Sequence, residues 1–306
     1  MKKLLPLLLF AVSFAHAFAA ERPNILIIFT DDQGYADLAC YGNKKNKTPR
    51  LDQLAKEGTR FTSFYSQTVC GPSRSALLTG RQPIRSKGWS MPASEITFAE
   101  LIRKVGYQTA CIGKWDVSNR KPIIERMPNA QGFDYYFGAL GANDGGGVSF
   151  HEDNKKAGNS RDMGGLTTLY TDKAIDFLKN KRDKDKPFVL YVAHTMMHTI
   201  IDASERFRGK SKGGLYGDVV EEFDYETGRL LDTLDALGLQ GVVSFEELRI
   251  LKGVDIVCDD DHFEFIAQGL TKAQDQHGLP GANRATDANA YRAGDIAFVH
   301  DTEFWV

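Results

Sequence analysis

Residues 24–30 (NILIIFT) constrain the fold more than any other stretch. The run has the length of a strand, is rich in isoleucine, and lacks the alternation of a strand with one face in water. Such a strand is buried on both faces, as in the middle of a parallel sheet covered by helices. PFVLYVA (187–193) reads the same way, and YQTACIGKW (107–115) supplies another strand. Helices are expected between them. Thr48-Pro49 reads as N-cap and first residue of a helix closed by Gly58. Thr97 with Glu100 forms a capping box, with Gly106 as the stop. LTTLYTDKAIDFLKNK (166–181) is amphipathic and runs into a solvated KRDKDK turn. Val220, Phe223, Leu230, Leu234 and Leu237 follow helical spacing up to Gly238. TRFTSFYSQ (59–67) alternates enough for a strand leading to Cys70, and the glycine-rich, polar residues 138–165 read as a long surface loop. Strands alternating with helices give an α/β fold, with a largely parallel central sheet covered by helices on both faces.

Ligands of such sheets collect at the carboxyl ends of the strands. The first run ends in Asp31-Asp32 and then Gly34, which is either a turn or a pair of hard-cation ligands. The run at 107–115 ends at Lys114, and the run at 187–193 delivers His194 and His198. Residues 66–81, SQTVCGPSRSALLTGR, place Pro72 well for the first position of a helix. Cys70 then lies just before a helix N-terminus, where free N–H groups and the dipole favour an anion, and Arg74 can reach the same anion.

The string C-G-P-S-R-S-A-L-L-T-G-R (70–81) resembles the signature of the type I sulfatases, the formylglycine-dependent, arylsulfatase-like branch of the alkaline phosphatase superfamily. TPRLDQLAKEGTRFTSFYS and TFAELIRKVGYQTACIGKW are similar to strings that family carries in the same order, and the resemblance covers roughly residues 22–238. It implies a sulfuric ester hydrolase acting on sulfate esters, in particular of sulfated carbohydrate. Cys70 would be oxidised to formylglycine by a formylglycine-generating enzyme. Hydrated, that group attacks sulfur with one hydroxyl and releases sulfate through the other. Asp31 and Asp32, with residue 70, would hold Ca2+, polarising ester and nucleophile. Arg74 would support the hydrated formylglycine and Lys114 would bind sulfate. His198 would contact sulfate and protonate the leaving oxygen. His194 reads equally as structural or catalytic.

Two departures stand out. The family usually has a histidine after G-K-W, where this chain has Asp116; a carboxylate can act as a base but adds negative charge beside a sulfate. The second half-reaction then falls to Asp116 or His194. Past residue 239 no Asp-Asn dipeptide follows to complete the metal site. GVDIVC (253–258) is the candidate replacement strand, with Asp261 in the acidic run after it as a substitute ligand or merely part of an acidic turn. The expected organisation is a signal peptide at 1–20, a sulfatase N-terminal catalytic region at 21–240 and a divergent tail at 241–306, without most of the usual C-terminal subdomain. A catalytically impaired anion-binding relative, and a phosphate or phosphonate ester hydrolase, remain alternative readings.

A net charge of −2 gives no basic field for nucleic acid. MKKLLPLLLFAVSFAHAFAA (1–20) has the lysines, apolar core and small residues of a secretory signal, which predicts a secreted or periplasmic protein. No apolar run reaches 18 residues, so no membrane span is expected. The four cysteines, Cys40, Cys70, Cys111 and Cys258, lack metal-site spacing and allow one disulfide in an oxidising compartment.

Overall fold

The computed structural model describes residues 22–239 and three later strand segments, 254–259, 262–267 and 296–299. In chain order the elements are β1 (Ile25–Phe29), α1 (Pro49–Glu57), α2 (Cys70–Thr79), α3 (Pro83–Ser86), α4 (Phe98–Lys104), β2 (Gln108–Gly113), β3 (Tyr135–Ala139), β4 (Val148–Glu152) and β5 (Lys155–Ser160). They continue with α5 (Leu166–Asp176), β6 (Phe188–Ala193), α6 (Gly214–Ala236), β7 (Val254–Asp259), β8 (His262–Ala267) and β9 (Ile296–Val299). A seven-stranded sheet runs in the order β5-β4-β3-β2-β6-β1-β9. Strands β3, β2, β6, β1 and β9 are parallel, and β4 and β5 add an antiparallel edge.

The apolar runs lie where their composition demands. Successive residues of a strand point to opposite faces. Leu26, Ile28, Leu190 and Val192 pack on one side with Tyr170 of α5 and Val220 and Phe223 of α6. Ile27, Phe29, Val189 and Tyr191 pack on the other with Leu78 of α2, Ala99 of α4, and Phe133. The sheet is therefore covered on both faces, as the sequence predicts. Among the described residues no helix is long and apolar enough to cross a membrane. Cys40, Cys70 and Cys111 are free thiols.

Capping follows the sequence at α4, where Thr97 and Glu100 form the reciprocal box. Thr48 precedes α1 as expected, but its hydroxyl accepts from the Ala39 amide at 2.9 Å. The amides of Arg50 and Leu51 donate instead to Asp224 of α6, at 3.2 and 2.8 Å.

Four expectations are corrected. Residues 59–67 form no strand, because the Phe64 amide and carbonyl pair with the Tyr35 hydroxyl, and the Phe61 carbonyl accepts from Tyr41. Residues 138–165 are no simple loop, since they contain the β4–β5 hairpin, whose Val148 and Phe150 face the core. Helix α2 starts at Cys70, not Pro72, with the Ser73 amide already donating to the Val69 carbonyl at 3.0 Å. Finally, GVDIVC does not join the main sheet. It forms β7, which pairs antiparallel with β8, while β9 takes the place beside β1.

Candidate active site

Three chain crossings at the carboxyl edge of the sheet aim the polar side chains. Past β1, the Asp31 amide donates to the Met196 carbonyl (3.2 Å), and the His194 amide donates to the Phe29 carbonyl (2.7 Å). The two strand ends are thereby locked together. Past β2, Lys114 donates its amide to the Ala193 carbonyl at 2.7 Å. This close approach requires Gly113, since a Cβ there would lie 1.9 Å from the Ala193 oxygen and its φ is +110°. Helix α2 then brings Cys70 and Arg74 up to these ends. Gly71 lets Trp89 lie against the start of the helix, where a Cβ would meet the indole at 2.1 Å. From that position the Trp89 indole N–H donates to Asp116 Oδ2 at 3.0 Å.

The result is a buried cluster of charge. The side chains of Asp31, Arg74, Lys114 and Asp116 have no solvent exposure. Lys114 Nζ pairs with Asp31 Oδ2 and lies 3.6 Å from Asp116 Oδ2. Arg74 Nη2 is 3.6 Å from Asp31 Oδ1, and the guanidinium donates to the carbonyls of Lys114 (3.1 Å) and His194 (3.3 Å). Its planar cation also lies over the Phe29 ring, 5.0 Å from the centroid. Burial disfavours the Lys114 ammonium, but Asp31 and Asp116 outweigh it and raise its pKa above the ordinary value. Burial likewise disfavours the Asp116 carboxylate, yet Lys114 and Arg120 together hold its pKa below the usual range.

Cys70 is 4% exposed and its thiol hydrogen-bonds Asp116. Burial, opposed by Lys114 and reinforced by Asp116 and Asp31, pushes the thiol pKa up to about 11. An unmodified Cys70 is therefore a neutral thiol near neutrality and a weak nucleophile.

The two histidines separate clearly. His194 is buried, with its ring edge-on to Phe223 at 5.0 Å, and burial together with Arg74 lowers its pKa to about 3. Shielded from solvent and a weak base, it fits the structural of the two sequence readings. His198 reaches the mouth, where its Nε2 is 3.3 Å from Asp144 Oδ1 and 3.9 Å from Asp32 Oδ2. Asp144 also receives Arg120 Nη1 at 2.8 Å, and Arg120 Nε donates to Asp116 at 2.8 Å.

Cys70, Arg74, Lys114, Asp116 and Asp31 thus converge, with Asp32 and His198 beside them at the rim. Asp261 lies outside the described residues. The carboxylates at the end of β1 suit a hard divalent cation, because Asp31 Oδ1 is buried and accepts no hydrogen bond. Among the described residues, however, no group of three or more His, Cys, Asp or Glu is arranged to hold a metal. As an unmodified thiol, Cys70 is engaged by Asp116. Arg120, Asp144 and Trp89 were not singled out by sequence. The one available signal was an arginine four residues after an acidic residue, too common to distinguish a site from a solvated turn.

The sequence model of the sulfatase family matches residues 23–244, which includes every described side chain of this site. The chain belongs to the sulfatase family. N-acetylgalactosamine-6-sulfatase of Mus musculus is 35% identical over 271 residues, covering 76% of this chain and 51% of that protein. Human arylsulfatase A is 34% identical over 254 residues, covering 72% of this chain and 50% of that one. This sulfatase chain thus spans about half the length of the curated relatives it matches. Among solved structures, PsFucS1 sulfatase from Pseudoalteromonas sp. aligns with a TM-score of 0.61 and 26% identity, covering 74% of this chain and 55% of that one. Ps i-CgsB, solved in complex with k-i-k-neocarrahexaose, aligns with a TM-score of 0.63 and 27% identity, covering 72% and 56%.

Proposed function

We propose that this sulfatase-family chain is the nucleophile-bearing part of a sulfuric ester hydrolase that cleaves sulfate esters of carbohydrates. The observation that carries the reading is a fully buried charge cluster in which Lys114 and Asp116 act on residue 70 and Arg74 lies 3.6 Å from Asp31, the ion-pair partner of Lys114. Two buried cations held by carboxylates form a preorganised setting for the oxygens of a tetrahedral anion. The carbohydrate preference rests on relatives, one named for N-acetylgalactosamine-6-sulfate chemistry and another solved with a neocarrahexaose bound.

Residue 70 needs more than a thiol for this chemistry, since its pKa of about 11 leaves it unreactive. Oxidation of Cys70 to formylglycine by a formylglycine-generating enzyme would supply a hydroxyl nucleophile and a route to expel sulfate. Asp31 and Asp32 would hold a divalent cation, Ca2+, which neutralises sulfate oxygens when bound. Asp116, hydrogen-bonded to Cys70 and to the Trp89 indole and with its pKa lowered by Lys114 and Arg120, would accept a proton from residue 70. His198, 3.3 Å from Asp144 at the mouth, would give a proton to the leaving alcohol oxygen. Arg74 and Lys114 orient and neutralise the anion. The lysines, apolar core and small residues of 1–20 support export, to a secreted or periplasmic site.

Peptide mass spectrometry after co-expression with a formylglycine-generating enzyme tests the reading. The Cys70 peptide is expected about 18 Da lighter than the thiol form, with sulfur and two hydrogens lost and one oxygen gained. The same preparation should hydrolyse an aryl sulfate in a calcium-dependent way. An intact thiol in protein that turns over aryl sulfate would refute the nucleophile assignment. The ion pairing of Asp31 by Lys114, with no three-ligand group among the described residues, favours a second reading as a sulfate-binding protein without turnover. A modified peptide with no hydrolysis would support that one.

A further inference from the structure

We propose that Arg120 and Asp144 are positioning residues that tie Asp116, beside residue 70, to His198 at the mouth, so that the two proton-handling ends of the site move as one. The chemical roles of Asp116 and His198 rest on the hydrolase reading above; the physical tie does not.

The chain of contacts is continuous. Arg120 Nε donates to Asp116 Oδ1 at 2.8 Å, and Nη1 of the same guanidinium donates to Asp144 Oδ2 at 2.8 Å. The other oxygen of Asp144 lies 3.3 Å from His198 Nε2. A guanidinium is planar and fixes the angle between its donors, so it transmits the orientation of one carboxylate to the other; a lysine ammonium would bind both without fixing either. A second tie runs beside the first. The buried Asn143 amide donates to the carbonyls of His198 (3.2 Å) and Ile200 (2.9 Å), so the loop carrying Asp144 is fastened to the backbone of the His198 segment.

The backbone supports the same assignment. Asp116 and Arg120 both have φ of +56°, in the left-handed region that costs a non-glycine residue about 1–2 kcal/mol. This places both side chains of one ion pair in unfavourable backbone at the same strand end. The stem of Arg120 also fills the space above Gly141, where a Cβ would meet its Cγ at 3.1 Å. Charge explains why the clamp is useful. Asp116 is a fully buried anion close to where a sulfate would bind, and it is tolerable there because Lys114 faces it on one side and Arg120 on the other. Without Arg120 the carboxylate would lose its orientation toward residue 70, and Asp144 would lose the cation that aims it at His198.

The test reads both ends. The chain has three tryptophans, and the Trp89 indole N–H bonds Asp116, so its amide-type NMR signal, assigned with Trp89→Phe, reports the inner end of the tie. Asp144→Asn, a change at a half-exposed rim residue, is expected to shift the Trp89 signal. In an Arg120→Gln background the same Asp144→Asn change should leave it unmoved, because the connection is already cut. With matured protein and an aryl sulfate, Arg120→Ala should lower kcat by about 100-fold while KM changes less than about threefold. Added guanidinium should restore about tenfold of that loss, and Arg120→Lys should not restore it. A Trp89 signal indifferent to Asp144→Asn in the wild-type background, or full turnover by Arg120→Lys, overturns the proposal. Absence of aryl sulfate turnover in the parent protein would instead count against the hydrolase reading, and the NMR comparison still decides the tie.

Discussion

Asp31, Arg74, Lys114 and Asp116 are wholly buried, whereas Asp32, Arg120 and Asp144 at the mouth expose 25%, 43% and 50% of their side chains. The two groups contain the same kinds of charge at similar separations. Desolvation makes them physically different. Inside, each ion has surrendered its hydration and depends on its partners, so losing one leaves another uncompensated. At the rim, water competes for every ion and replaces a lost partner at little cost. The inner cluster therefore behaves as part of the fold, and the rim as an adjustable layer that aims side chains without holding the protein together.

The sharpest way to break that contrast is Lys114→Met. It removes the cation paired with Asp31, leaving that buried carboxylate only Arg74 at 3.6 Å, and leaves Arg120 as the cation paired with Asp116, and should destabilise the protein by about 3–5 kcal/mol in urea unfolding. Adding Asp31→Asn removes the under-compensated anion and should recover part of the loss, so that the double variant is more stable than the sum of the singles predicts. A cost below about 1 kcal/mol for Lys114→Met would place the interior pair in the range of exposed pairs and dissolve the distinction.

Acidity separates buried carboxylates by how they are paired. Asp116, despite burial, has its pKa held below the ordinary 3.8 by Lys114 and Arg120. It contributes stability that is present above pH 3.8 and is lost as pH falls through the lower folded value. Asp224 is buried against the amides of Arg50 and Leu51, and burial raises its pKa to about 6. Its contribution has the opposite sign: fully present below pH 3.8 and lost as pH rises through about 6. Urea midpoints measured from pH 3 to 7 should thus show Asp224→Asn removing a decline between about pH 4 and 6. Asp116→Asn should lower the midpoints above about pH 3.8 and change their slope only at the acid end. A common slope change for both variants would mean that cationic partners do not distinguish the two sites.

What the sequence could reveal follows the same division. The apolar runs at 24–30 and 187–193 state their burial in composition, so the central strands and both covered faces were legible. Residues 59–67 were not, because their alternation says nothing about the Tyr35 and Tyr41 hydroxyls that claim their backbone groups. Within the site, Asp31, Cys70, Arg74 and Lys114 were legible because they stand in strings that resemble those of the sulfatase family. Asp116 was legible only as a departure, and its compensation was not. Arg120 and Asp144 are 24 residues apart and meet only because the fold folds the loop after β3 back over the end of β2. His194 shows the limit most plainly, since four residues from His198 in sequence it points into the core against Phe223.

The smallest expected effect is the one that separates stability from function at the rim. Asp144 is half exposed and its partners Arg120 and His198 remain accessible to water, so Asp144→Asn should change unfolding free energy by less than about 0.5 kcal/mol. The substitution keeps the size of the side chain and one oxygen acceptor while removing the charge that aims Arg120 and His198. Unfolding should therefore be nearly unchanged under conditions where the Trp89 indole signal moves. Because screening weakens exposed pairs, raising the salt to about 1 M should shrink the remaining stability difference further, with a Debye length near 3 Å. If Asp144→Asn instead costs as much as Lys114→Met, the rim belongs to the fold just as the interior does, and the adjustable layer does not exist.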